Sequence, residues 1–244
     1  MSVLNDLYLP DYKRLSSMII GAPGGGKSFF VMNTLSEFVK RNDDDNLRVI
    51  YCCPKQEMNL GEGTFVPNPI EYHVDMSGNQ FSVPTKEFMK HLDKSRVSVI
   101  YPDPMNLEKE VDGLIDVIFD LNNANPDFKC VFVCDDSQIF LSSRRAATPS
   151  WKRLALTGRS RGIRLVVISH TPVFSKELEG STSYIVHFRT LLSPIHINDF
   201  KNRFGYDPEP YVDSLNEVPY SAVFFDVTTG KSQMMKPLEV KAKA

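Results

Sequence analysis

The chain has 244 residues, 42% of them hydrophobic and 24% charged, with a formal net charge of −2. That is enough for one large α/β domain, expected over residues 15–237, between an N-terminal extension at 1–14 and a charged tail at 238–244. The charge excludes a global basic field for nucleic acid, and the lack of any run near ~18 apolar residues argues against a membrane span. Residues 1–10 are polar and hold Asp6 and Pro10, unlike a signal peptide. Cys52, Cys53, Cys130 and Cys134 lie in apolar runs without zinc spacing and read as buried, reduced thiols.

In chain order, residues 15–20 read as a first buried strand, followed by Gly21-Ala22-Pro23-Gly24-Gly25-Gly26-Lys27-Ser28 and then Phe29. Apolar residues at near-helical spacing (Phe29, Phe30, Leu35, Phe38, Val39) predict a helix over 27–41. The acidic triplet Asp43, Asp44 and Asp45 reads as a solvated turn. A second strand is expected at 47–53. Residues 54–83 are turn-rich without a clear period, a loop-rich excursion or inserted hairpin. A short helix with Pro84 near its start is predicted over 84–95, a third strand over 97–101, and a strongly amphipathic helix over 108–121. Residues 129–134 form an apolar strand running into Asp135-Asp136. Thr148-Pro149-Ser150 opens a helix to about residue 156 by its cap-then-proline signature. Strands are expected at 163–169 and 183–188, with short helices at 175–179, 197–204 and 211–215. Residues 220–227 and 231–236 flank Thr228-Thr229-Gly230 as a closing hairpin. Apolar strands alternating with helices predict a mainly parallel sheet covered on both faces, an α/β fold, and a phosphate-binding glycine loop after the first strand makes the RecA-like P-loop NTPase class the expected one.

The glycine stretch meets G-x-x-x-x-G-K-[ST] in full, between a strand and a helix. Glycines let backbone N–H groups close around a polyphosphate at a helix N-terminus, which makes Gly21 to Phe29 candidate ATP-binding residues. In this motif Lys27 bridges the β- and γ-phosphates and Ser28 holds Mg²⁺. Asp135, ending a buried strand, is the second candidate Mg²⁺ ligand, and Asp136 stands where a carboxylate orients attacking water. His170, at the end of the next strand, fits a γ-phosphate sensor. His73, His91, His187 and His196 form no ligand pattern. Between residues 144 and 164 lie Arg144, Arg145, Lys152, Arg153, Arg159, Arg161 and Arg164, with no acidic residue among them. The stretch reads as a solvated face, a nucleic-acid surface or the source of an arginine finger acting in trans. Arg159 and Arg161, in the turn before a buried strand and expected near the sheet's edge, are the finger candidates.

Residues 156–172, LTGRSRGIRLVVISHTP, resemble the corresponding segment of FtsK/HerA-type DNA pumps. Arg159 falls on that family's arginine, Gly162-Ile163 on its glycine-isoleucine, His170 on its sensor glutamine and Pro172 on its proline. Asp136 stands where the family usually has glutamate. With the glycine loop and the acidic strand end, the resemblance covers roughly 15–205. It is strongest to the short members, the genome-packaging ATPases of double-jelly-roll-capsid viruses, rather than to cellular translocases with further parts. It implies a DNA-translocating ATPase using ATP and Mg²⁺ in a homo-oligomeric ring. Expected partners are double-stranded DNA, contacted without sequence reading, and capsid or portal-vertex proteins. The expected location is the virion or host cytoplasm. Arg144 and Arg145 are candidates for the DNA contact. The competing expectations are a cellular-type pump or morphogenesis ATPase, a small-molecule kinase, and a nucleotide switch that does not hydrolyse.

Overall fold

The computed structural model describes residues 16–55, 66, 68–139, 141, 147–171, 176–190 and 193–238. The glycine loop joins the first strand, β1 (Ser16–Ile20), to the first helix, α1 (Lys27–Arg41). Then follow β2 (Leu47–Cys52), β3 (Ile70–Val74), β4 (Gln80–Pro84), α2 (Lys86–Lys94), β5 (Val97–Ile100), α3 (Leu107–Ala124) and β6 (Lys129–Cys134). The remainder is α4 (Pro149–Thr157), β7 (Ile163–Ser169), α5 (Lys176–Ser181), β8 (Thr182–Phe188), α6 (Pro194–Phe204), α7 (Val212–Glu217), β9 (Ala222–Asp226) and β10 (Lys231–Met235).

Eight strands form one sheet in the order β10-β9-β8-β1-β7-β6-β2-β5. The six from β8 to β5 are parallel, while β9 runs antiparallel to β8 and pairs with β10 as the expected closing hairpin. Alternation along the strands sends side chains to two cores. Met18, Ile20, Ile50 and Phe132 pack against Phe88, Ile115, Trp151 and Phe200. Ile19, Val49, Tyr51 and Val133 pack against Phe30, Val31 and Leu35 of α1. Helices therefore cover both faces unequally, because the first core draws on α2, α3, α4 and α6 and the second on α1.

Caps set the helix starts. Thr85 Oγ1 accepts from Phe88 N at 3.1 Å, and Thr148 Oγ1 accepts from Trp151 N at 3.4 Å while donating to Asp112 at 2.7 Å. Pro84 is the last residue of β4 rather than part of the helix start, because Thr85 supplies the side-chain acceptor that proline lacks. The excursion contains a hairpin, β3 with β4, forming a separate two-stranded sheet. It lies close against α3 at Gly113, where a Cβ would stand 2.9 Å from Ser82 Oγ and 3.1 Å from the Tyr72 hydroxyl. The acidic turn is solvated as expected, except that Asp44 pairs with Lys129 at 2.7 Å. All four cysteines are free and buried.

His187 sits in an aromatic cluster with Phe200 and Tyr206, its Nδ1 hydrogen-bonded with the Tyr206 hydroxyl at 3.0 Å. Burial pulls its imidazole down from 6.5 to about 4. The unfolded chain therefore binds a proton between those values that the folded chain does not. This contribution to stability is complete above pH 6.5 and is lost as the pH falls towards 4, by about 3 kcal/mol. Denaturant midpoints should shift to lower denaturant between pH 7 and pH 4, and His187→Gln should remove the His187 share of that shift.

Candidate functional site

The carboxyl ends of β1, β6 and β7 converge on one cleft of about 500 Å³, lined by Pro23 to Phe29, Met32, Cys53, Lys55, Asp135, Asp136 and His170. Gly21 N bonds Ser169 O at 3.2 Å and Ala22 N bonds Arg189 O at 2.7 Å, fixing the loop to β7 and to the end of β8. Gly26 occupies the cap position of α1 with φ 92, and no side chain caps the helix. The backbone N–H groups of this first turn are thus available to an anion, and a residue with a Cβ would be strained at Gly26.

Lys27 is buried, and its ammonium has three acceptors: Gly21 O at 2.8 Å, Ala22 O at 2.9 Å and His170 Nδ1 at 3.0 Å. Burial pulls it down to about 8, against the opposing pull of Asp135 and Asp136. The other ring nitrogen of His170, Nε2, lies 3.0 Å from Asp136 Oδ1 and 3.3 Å from Lys55 Nζ. The histidine therefore joins the P-loop lysine to the second acidic residue.

Asp135 Oδ2 accepts from Ser28 Oγ and from the Tyr51 hydroxyl, each at 3.0 Å, and Asp135 Oδ1 accepts from Asp136 N at 2.8 Å. Burial pushes the Asp135 carboxyl up, while these donors hold it down. Burial also pushes the Tyr51 phenol well up, which keeps it a donor. A hydroxyl and a carboxylate 3.0 Å apart beside a phosphate loop are a hard oxygen pair, which fits Mg²⁺; that ion commonly takes one or two such ligands, with water and phosphate for the rest.

Asp136 is buried and adopts φ 50, a left-handed turn that aims its carboxylate back into the cleft. Its Oδ2 lies 2.9 Å from Lys55 Nζ, and its Oδ1 accepts from Gln138 Nε2 at 3.1 Å. Gln138 Oε1 in turn accepts from His170 N at 3.3 Å. Lys55, Gln138 and Tyr51 did not emerge from sequence. Lys55 had a usable signal, since it follows β2 closely and ligands of parallel sheets gather at strand carboxyl ends.

The arginines lie elsewhere. Arg159 and Arg161 form a single 3₁₀ turn between α4 and β7. His170 immediately follows the far end of β7, about 23 Å away for seven strand residues. The turn is at the amino end of a central strand and not at the sheet's lateral edge, because β7 is inserted between β1 and β6. Arg161 Nη1 donates to Asn123 Oδ1 at 2.9 Å, whereas Arg159 is exposed and makes no such contact among the described residues. Arg153 stacks over Phe119 at 4.0 Å, and Arg164 Nη1 donates to Arg159 O at 2.7 Å, so these two serve the fold. Arg144, Arg145 and Pro172 lie outside the described residues.

A glycine loop on β1, an acid-ended β6 separated from it by one strand, and a polar terminus on that intervening strand define a RecA-like P-loop NTPase fold. The genome-packaging NTPase B204 of Sulfolobus turreted icosahedral virus 2, solved with ATP-gammaS, superposes with a TM-score of 0.66 at 13% identity, over 94% of this chain and 100% of that one. VirB4 of Thermoanaerobacter pseudethanolicus gives 0.61 at 14% identity, over 97% and 93%. The cytoplasmic domain of the type VII secretion ATPase EccC of Thermomonospora curvata gives 0.54 at 16% identity, over 94% of this chain and 26% of that one. No family model and no curated protein matches the sequence. The expected resemblance to FtsK/HerA-type ATPases, packaging members among them, is met at the level of the fold. No helix among the described residues is long and apolar enough to cross a membrane.

Proposed function

We propose that this chain is an ATP-hydrolysing DNA translocase that packages double-stranded viral genome into a preformed capsid. It works as a homo-oligomeric ring in the virion or host cytoplasm, with capsid or portal-vertex proteins as partners. The observation that carries this reading is the convergence of Lys27, Ser28, Asp135, Asp136 and His170 on one cleft at the carboxyl edge of the sheet. The full-length likeness to a packaging NTPase supports the choice of cargo.

The α1 amides and Lys27 hold the β- and γ-phosphates, and Ser28 with Asp135 holds Mg²⁺. When bound, the ion would supply neutralisation of the charge that develops on the phosphates. Asp136, held by Lys55, Gln138 and His170, orients the attacking water and takes its proton as ADP leaves. His170 reports the γ-phosphate through its contact with Lys27. Arg159, with Arg161 second, enters the cleft of the next copy. Arg144 and Arg145 are candidates for contacting DNA phosphates, which position a duplex without reading its sequence. The crowding of Asp136 by Lys55, His170 and Gln138 also favours a second reading, a nucleotide switch that holds ATP without turnover.

Phosphate release measured against protein concentration, with and without duplex DNA, tests these readings. A steep rise with both supports the ring motor. Tight ATP binding without turnover under all conditions supports the switch. Phosphoryl transfer to a nucleoside without DNA stimulation overturns both in favour of a kinase.

A further inference from the structure

Beside the phosphate cleft lies a second cavity of about 420 Å³, between the start of α1 and the closing hairpin. Its walls include Phe29, Phe30, Phe188, Tyr220, Met235 and Pro237. Gly26 and Phe29 line both cavities, so the apolar one continues from the phosphate cradle. Tyr220 holds φ 62, an uncommon backbone conformation for a bulky side chain, yet its residue remains 62% exposed. Its ring lies against the loop, with Cδ1 only 3.1 Å from where a Cβ on Gly26 would stand. A strained, exposed aromatic on the phosphate loop gains from a flat apolar partner.

We infer that this cavity seats the base of the bound nucleotide by stacking, and that it accepts purine nucleoside triphosphates without selecting adenine over guanine. The inference rests on the phosphate-site reading and specifies the substrate class of that site. Adenine and guanine differ in the donors and acceptors on their pairing edge. A pocket that rejects one of them does so by leaving buried polar groups of its own unpaired. Among the described residues lining this cavity, only the Tyr220 phenol and Lys236 ammonium are polar side-chain groups, with no amide, carboxylate or aliphatic hydroxyl. Stacking contributes about 1–3 kcal/mol per base and is tolerant of base identity, because every base has a π-face.

The test measures binding of ATP, GTP and inorganic tripolyphosphate, each with Mg²⁺, to the full chain by calorimetry. ATP and GTP should bind within about threefold of each other, and both about tenfold or more tighter than tripolyphosphate. Tyr220→Gly, which removes the ring and accommodates the positive φ, should weaken both nucleotides about tenfold and leave tripolyphosphate unchanged. Tyr220→Phe should retain nucleotide affinity. A preference for ATP over GTP beyond about thirtyfold, or nucleotide affinities unaffected by Tyr220→Gly, would overturn the inference. Normal tripolyphosphate binding with no gain from either base would overturn it alone. Failure of all three ligands to bind would overturn the phosphate-site reading and this inference with it.

Discussion

Asp136→Asn is expected to lower ATP turnover by roughly 10²–10⁴-fold while leaving nucleotide binding close to wild type. The substitution keeps the side chain's size, and asparagine is among the residues that best tolerate the left-handed conformation at φ 50. It removes the charge proposed to orient water and accept its proton, and it weakens the contacts to Lys55 and His170 at 2.9 and 3.0 Å. The phosphate loop, whose Lys27 bonds His170 and not Asp136, keeps its own carbonyl and imidazole partners. Steady-state phosphate release paired with equilibrium nucleotide binding separates the effects. Turnover within about twofold of wild type would remove Asp136 from the reaction, since a general base contributes far more.

Arg159→Ala should reduce turnover by about 10³-fold or more in the assembled state, with ATP binding retained. The expectation comes from placement. Arg159 lies at the amino end of β7, a strand's length from the cleft in its own chain, so the role proposed for it is one in trans. Arg161 is the weaker candidate because its guanidinium is already engaged by Asn123. Mixing gives the sharper result. Lys27→Ala and Arg159→Ala chains, each inactive alone, should recover activity in mixed assemblies, where an intact loop of one chain meets an intact arginine of the other. Two mutants that never complement, or an Arg159→Ala chain with normal turnover, would return the basic turn to a solvated surface.

The sequence by itself determined the glycine loop, the acidic end of the strand at 129–134 and the polar end of the strand at 163–169. It also determined the alternation of apolar strands with amphipathic helices that makes the sheet parallel. These features are local. A motif acts through contiguous backbone, as Gly21 to Ser28 do, and a helix such as α1 is written in the spacing of its own apolar side chains. Tertiary structure alone decided what meets across the chain. Strand order places β7 between β1 and β6, which brings His170 against both Lys27 and Asp136 and carries Arg159 away from them. Tyr51 and Lys55 join the site because β2 pairs beside β6, and Gln138 reaches His170 because β6 pairs beside β7; of the three only Lys55, close behind a strand, carried a signal in the sequence. The apolar cavity beside the phosphate loop draws on α1, β8, the turn at Tyr220 and the segment after β10, which approach one another only once the closing hairpin has packed. Periodicity specifies which face of an element is buried. It does not specify which distant element covers that face, because nonlocal packing settles that pairing.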